Sequence, residues 1–154
     1  MKKKRIKKKL TAEQKAAQLK KRKDLAFRKK IRSSFTDAGF TYFSTLDKHF
    51  SIGTRTVELD YLFLYENIIV ICEDNTKQKK DIDHIRNKNE SFAEIKNNKT
   101  AFLNWLASTF PEKATTVKQY RPERYFLYYI YISQTIFYKG IMPSETGFRF
   151  SSGL

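Results

Sequence analysis

The chain has few of the residues that build common metal and nucleotide sites. It contains a single cysteine and two histidines far apart, so neither an internal disulfide nor a structural zinc site is expected. Its five glycines form neither a Walker motif nor a dinucleotide-binding spacing, which argues against kinases, ATPases and dehydrogenases. Cys72 lies within an apolar segment that suits a buried, reduced thiol. These features predict a cytoplasmic protein.

Long hydrophobic runs are also missing. The N-terminus is a lysine cluster and does not resemble a signal peptide. The aromatic run from Tyr125 to Tyr138 includes Ser133 and Gln134, and at about 14 residues it is too short to span a bilayer. We therefore expect no membrane association. With 154 residues, 40% of them hydrophobic, the chain is long enough for one domain with a substantial core.

Positive charge is concentrated at the start of the chain. Residues 1–32 contain 16 basic and two acidic residues, a net charge of +14, whereas residues 33–154 are nearly neutral. Such a segment favours polyanion binding, because each neutralised phosphate releases condensed counterions. The alternatives are a solubilising arm and a basic address signal. The candidate nucleic-acid-binding residues are Lys2, Lys3, Lys4, Arg5, Lys7, Lys8, Lys9, Lys29, Lys30 and Arg32.

A long helix is predicted after the lysine cluster. Thr11 and Gln14 have the spacing of a capping box, and Gly39 supplies a left-handed stop. Phe27, Ile31 and Phe35 recur every four residues, which places one apolar stripe against a sheet. Short strands are expected at 40–43 and 49–52, with a turn at 47–48.

Two acids interrupt the apolar strands that come next. A strand over 55–65 carries Asp60 on the same face as Glu58, and a strand beginning at Ile68 ends near Glu73. The intervening 65–68 segment contains Asn67 and predicts an antiparallel hairpin. Depending on its register, Asp60 meets Glu73 or Asp74. Paired acids at the end of an apolar sheet are a common way to hold a divalent metal.

This pattern resembles the restriction-endonuclease-like nucleases, whose motif is written PD-(D/E)xK. Members have an acid ending one strand, then an apolar strand ending in Glu-x-Lys. The resemblance implies that Asp60 and Glu73 are metal ligands, but Asn75 stands where the family has its catalytic lysine. Lys77, Lys79 or Lys80 would then supply the charge from the following turn. The implied fold is α/β, a central mixed sheet flanked by helices, with a basic N-terminal helical arm.

The remaining segments complete this architecture. Helices are expected at 82–97, capped by Asp81, and at 100–109, with Lys88 on the exposed side of the first. An aromatic strand follows over 124–133, with another at 136–139. His84 is weighed as a base or phosphate contact against an ordinary helix residue, and Trp105 is expected in the core. By domain, 1–24 is a basic arm, disordered or helical, 25–138 the nuclease-like domain, and 139–154 a linker or the start of a further region.

Three functions remain open from the sequence. The first is a metal-dependent nuclease acting on DNA or RNA, with Asp60, Glu73, Lys77 and Lys79 as catalytic residues and Asp60, Glu73 and Asp74 as ligands of Mg²⁺ or Mn²⁺. The second is a nucleic-acid-binding module with the same fold and no chemistry. The third is a protein-interaction subunit whose aromatic C-terminal strand docks a partner. A protein partner or a homodimer is kept open separately.

Overall fold

Helices cover both faces of a central mixed sheet. The structure, a computed structural model, describes residues 10–75, 82–133 and 147–151. The helices are α1 (Ala12–Asp37), α2 (Ile82–Asn97), α3 (Lys99–Thr109) and α4 (Ala114–Val117), with single 3₁₀ turns at Pro111–Lys113 and Pro122–Arg124. The strands are β1 (Thr41–Phe43), β2 (His49–Ile52), β3 (Arg55–Glu58), β4 (Tyr61–Tyr65), β5 (Ile68–Asn75), β6 (Phe126–Ser133) and β7 (Gly147–Ser151).

Five of the strands form the main sheet, in the order β1-β4-β5-β6-β7. The β1-β4 and β4-β5 pairs are antiparallel, and the β5-β6 and β6-β7 pairs are parallel. The predicted α/β class with a mixed sheet is therefore confirmed. The interval 139–154, expected as a linker or the start of a further region, contributes the strand β7. The strand expected at 136–139 and the cap at Asp81 lie outside the described residues.

Helix α1 begins and ends as the sequence predicts. The hydroxyl of Thr11 accepts from the Gln14 N–H and the Gln14 side chain accepts from the Thr11 N–H, which completes the capping box. After the helix, Gly39 has a φ of +93°, a conformation that favours glycine. Ile31 is buried against the sheet, where Phe27 and Phe35 pack beside it. The boundary expected at residue 24 falls inside this continuous helix.

The strand expected over 55–65 is broken at Leu59 and Asp60. Its first part, β3, pairs with β2 in a separate two-stranded sheet, and only its second part, β4, joins the main sheet. The buried hydroxyl of Thr45 donates to the Leu59 carbonyl over 2.6 Å, which replaces a strand hydrogen bond at the break. The single-strand prediction was wrong because alternation of side chains continues through the break and hides it.

The hairpin between β4 and β5 has a two-residue loop. Tyr65 pairs with Ile68 at one end and Tyr61 with Cys72 at the other. Glu66 in the loop has a φ of +49°, so it takes the left-handed conformation that the sequence had suggested for Asn67. Cys72 is fully buried with a free thiol, as predicted.

Separate apolar cores cover the two faces of the sheet. Leu62, Leu64, Ile69 and Ile71 face the helices α2 and α3, where Phe102 and Leu106 are fully buried. Tyr61, Phe63, Val70 and Cys72 face α1. Alternate residues of β4 and β5 therefore belong to opposite sides. Among the described residues, no helix is long and apolar enough to cross a membrane.

Candidate functional site

The hairpin register brings Asp60 and Glu73 together at the end of the sheet. Because Tyr61 lies opposite Cys72, the next position along each strand places Asp60 beside Glu73. Their alternation with Leu62 and Ile71 puts both acids on the side of the sheet that faces α2. Asp60 is exposed, and its Oδ2 accepts a hydrogen bond from the Asp74 backbone N–H over 3.0 Å. The predicted pair of acids is thus assembled at one point.

Glu73 is buried almost completely, with 1% of its surface exposed. Burial and, after it, the negative charge of Asp60 raise its pKa to about 8, against the opposing effect of the Lys88 ammonium. Neither carboxyl oxygen of Glu73 has a hydrogen-bond partner among the described residues, although Oε2 lies 2.9 Å from Nζ of Lys88. A buried acid with an open oxygen is costly unless the site has a cation to bind.

Within the described part of the chain, Lys88 of α2 supplies a positive charge in contact with this pair. Its Nζ lies 2.9 Å from Oε2 of Glu73 and donates to the Glu58 carbonyl over 2.8 Å. Only 16% of the Lys88 side chain is exposed, so its expected place on the exposed side of the helix was wrong. The helical spacing does indicate that Lys88 is on the buried face. This face follows an i, i+3, i+7, i+10 pattern, made up of Ile85, Lys88, Phe92 and Ile95.

Asp74 points to the opposite side of β5. Its Oδ2 accepts a hydrogen bond from the Tyr61 hydroxyl over 2.5 Å and lies 3.2 Å from Nε of Arg28. Burial, followed by the hydrogen bond to Asp74, raises the pKa of Tyr61. The structure therefore does not bring the Asp74 carboxylate to the metal site expected from the sequence. It contributes its backbone N–H to Asp60 instead.

A second buried polar group lies on the Glu73 side of the sheet. Tyr129 of β6 is 4% exposed, and its ring stacks on Phe92 at 5.3 Å between centroids. Its hydroxyl has no hydrogen-bond partner among the described residues. Burial raises the pKa of Tyr129, and the charge of Glu73 raises it further. The phenol is thus neutral, and its hydroxyl is a further polar group on the same side of the sheet as Glu73.

An open groove of about 480 Å³ runs along the exposed side of Asp60. Helix α1 forms one wall through Arg28 and Arg32, and the 44–49 loop forms the other with Lys48 and His49. Arg32 also lies over the Tyr42 ring, 5.9 Å from its centroid. The groove gives an extended ligand access to the exposed carboxylate from the α1 side of the molecule.

The other predicted residues are dispersed or lie outside the described ranges. Lys29, Lys30 and Arg32 are exposed on α1. His84 is exposed on α2, while Trp105 packs against Phe50 and Phe102, as expected of a core residue. The candidates outside the described ranges are Lys77, Lys79 and Lys80 together with the tail residues Lys2, Lys3, Lys4, Arg5, Lys7, Lys8 and Lys9.

The donor set suits a hard divalent cation bound by few protein ligands. Within residues 10–75, 82–133 and 147–151, no three His, Cys, Asp or Glu residues gather to form a metal cage. Mg²⁺ does not require one, since it keeps several waters and commonly uses one or two carboxylates plus substrate phosphates. Exposed Asp60 and the open Oε1 of Glu73 meet that description. Comparison of the chain with protein-family models, curated proteins and solved structures finds no match.

Proposed function

We propose that this protein is a metal-dependent nuclease whose metal ligands are Asp60 and Glu73. The observation that carries the proposal is the contact between Lys88 and Glu73, with Nζ and Oε2 2.9 Å apart. A lysine ammonium beside paired acids is what the restriction-endonuclease-like resemblance expects from position 75, where this chain has asparagine. Lys88 supplies it from a neighbouring helix. The fold proposed is accordingly the restriction-endonuclease-like α/β arrangement.

Each residue of the site has a role that its geometry supports. The Asp74 N–H fixes the orientation of Asp60, and the exposure of this side chain leaves its carboxylate accessible to a ligand. Lys88 reduces the cost of ionising Glu73, and a bound divalent cation would reduce it further. The Lys88 ammonium also stands where it can orient a water molecule and stabilise negative charge that develops on a phosphate. A bound Mg²⁺ or Mn²⁺ would polarise the phosphodiester and lower the pKa of water.

A second candidate function is nucleic-acid binding without chemistry. It is favoured by the same ion pair, because Lys88 already neutralises Glu73 and a neutralised acid can serve as a structural element alone. Among the described residues, the protein-interaction hypothesis has no comparable contact in its favour. The two candidates differ in one respect that can be measured, which is whether phosphodiester bonds break.

Cleavage of labelled duplex DNA and RNA in Mg²⁺, Mn²⁺ or EDTA tests the proposal. We expect metal-dependent products, and a loss of at least about 100-fold in Asp60→Asn and Lys88→Met. The matched controls are Glu112→Gln and Lys96→Met, which alter exposed residues and should cleave normally. The same assay on Lys77→Met and Lys79→Met tests whether those lysines contribute.

Two outcomes would overturn this assignment. Absence of cleavage with every metal, alongside intact binding, would leave the binding module as the function. Cleavage that continues undiminished in Asp60→Asn would place the chemistry elsewhere in the chain. Thermal transitions of all variants distinguish a lost site from a lost fold.

A further inference from the structure

The first half of α1 has no packing partner in the described part of the molecule. Every residue from 12 to 23 is exposed, whereas burial on this helix begins around Phe27 and Ile31. At 1.5 Å per residue, the helix reaches about 24 Å beyond Arg28. An isolated helical segment of this size is marginal in water, so it gains most from a partner that binds it as a helix.

Positive charge surrounds this projecting segment. Lys20, Lys21, Arg22 and Lys23 are consecutive, and at 100° per residue they span about 300° of the helix circumference. Lys15 adds another cation one turn earlier. Charge on all sides suits a partner that encloses the helix, since a flat anionic surface would meet only some of these residues.

The apolar residues argue against a membrane or a coiled-coil partner. Leu19 and Leu25 are 55% and 56% exposed, but they lie about 120° apart around the axis and do not form one stripe. An interfacial membrane helix requires an apolar face separated from its charged face. A coiled coil requires apolar residues one turn away from Leu19 in both directions. Arg22 and Lys23 follow it at that spacing, and the only apolar residue that precedes it there is the small Ala16.

The projecting segment continues along α1 to Arg28, which lies beside the candidate site. Arg28 contacts the Asp74 carboxylate, and the Asp74 N–H donates to Asp60. A polymer that lies along α1 therefore arrives at the groove beside Asp60. The reach of about 24 Å corresponds to roughly seven base pairs of a duplex at 3.4 Å each.

We propose that residues 12–26 of α1 enter the major groove of duplex DNA and lead its backbone to the Asp60 site. The major groove of B-form DNA is about 12 Å wide and the diameter of an α-helix is about 10–12 Å, so the helix can be enclosed by phosphates. The corresponding groove of an RNA duplex is deep and narrow and does not admit a helix. The link to cleavage rests on the proposed nuclease function, but the binding mode does not.

The test measures binding of the full chain in EDTA, where cleavage plays no part. A variant with Lys20→Gln, Lys21→Gln, Arg22→Gln and Lys23→Gln removes four charges from α1 while keeping a similar helix propensity. A matched control removes four exposed charges elsewhere, through Lys96→Gln, Lys118→Gln, Arg121→Gln and Arg124→Gln. Fluorescence anisotropy is recorded with duplex DNA and duplex RNA of one sequence, about 20 base pairs long, over a range of salt.

The α1 variant should bind duplex DNA at least tenfold more weakly than the control. Its plot of log affinity against log salt should be shallower by about 3 to 4, from four lost phosphate contacts. The unaltered chain should prefer duplex DNA over duplex RNA at least tenfold, and the α1 variant should lose most of that preference. Far-UV circular dichroism should show the helix retained in both variants.

Several results would overturn the inference. These are equal affinity for DNA and RNA duplexes, equal losses in variant and control, a dimer held together through α1 in light scattering, or anionic phospholipid vesicles bound as tightly as DNA. The nuclease proposal fails separately. If the protein cleaves nucleic acid but the α1 variant binds as tightly as the control, only the helix inference is refuted. If the protein does not cleave but the α1 variant binds more weakly than the control, only the nuclease proposal is refuted.

Discussion

At the scale of single residues, Glu73 is an acid whose ionised form is costly to bury. A carboxylate that is 1% exposed loses most of its hydration, and among the described residues Lys88 offsets that loss with an opposite charge. Asp60 adds a like charge and makes ionisation harder still. Folding alone gives no reason to keep such an acid, because an apolar residue of similar volume would be at least as stable. This argues that Glu73 serves a function.

The first stability prediction concerns Glu73→Gln in EDTA. The carboxyl of Glu73 releases its proton at a pKa of about 8 in the folded protein, compared with an ordinary value of 4.5. Between those two pH values the folded state binds more protons than the unfolded chain, so this group makes stability fall as pH rises. Glu73→Gln removes that loss. The substitution should therefore raise the melting temperature, by an amount that grows from about pH 5 to pH 8 and then levels off.

Thermal unfolding at several pH values checks this outcome, with Glu112→Gln as the exposed control. The gain at its maximum should be no more than a few kcal/mol, since Asp60 and Lys88 titrate together with Glu73. A difference in melting temperature that does not change with pH would show that Glu73 has an ordinary pKa in the folded protein.

At the scale of elements, the sequence predicted regular structure wherever one period dominated. The capping box and the apolar spacing of Phe27, Ile31 and Phe35 placed α1, and the short loop before Ile68 placed the hairpin and its pair of acids. The interruption at Leu59 could not be predicted, because it depends on a hydrogen bond from Thr45, fourteen residues earlier. β7 was also missed, because the 139–154 segment is rich in turn-forming residues and shows no clear strand pattern.

The exposure of Lys88 was predicted wrongly for a different reason. Its spacing placed it on the buried side of α2, but a preference for solvating charged residues assigned it to the exposed side. Tertiary contact decided the outcome, because Glu73 offers a charged partner within the interior. A charged residue within an apolar helical stripe is therefore a useful signal of a buried ion pair when unpaired acids occur on a neighbouring strand.

The break between β3 and β4 can be tested through Thr45→Val. The hydroxyl of Thr45 is buried and donates to the Leu59 carbonyl over 2.6 Å. The valine variant would leave that carbonyl without its donor at a cost of about 1–3 kcal/mol. Urea denaturation measures this loss, and Thr56→Val on an exposed position of β3 should stay within about 0.5 kcal/mol of the unaltered chain. Equal stability of the two variants would mean that Thr45 does not hold the break.

At the scale of the whole molecule, binding and chemistry are assigned to opposite sides of one sheet. Helix α1 covers one side and carries the exposed basic segment, while α2 covers the other and contributes Lys88 to the paired acids. The Asp74 position joins the two sides, since its carboxylate contacts Arg28 and its N–H contacts Asp60. A ligand bound along α1 would therefore lie near Asp74, the residue of β5 whose backbone N–H holds Asp60.

Deletion of residues 1–23 tests this division of roles. No residue from 12 to 23 is buried, and Asp24 is a favourable residue to begin the shortened helix. We therefore expect the thermal transition of the truncated protein to stay within a few degrees of that of the full chain. Its affinity for duplex DNA should fall by about 10³-fold or more at physiological salt, because 12 of the 31 basic residues, and with them most of the net positive charge, are removed. Cleavage should persist at high enzyme concentration, since Asp60, Glu73 and Lys88 are all retained. Unchanged affinity would refute the role assigned to the basic segment, and loss of the cooperative transition would show that the segment stabilises the fold.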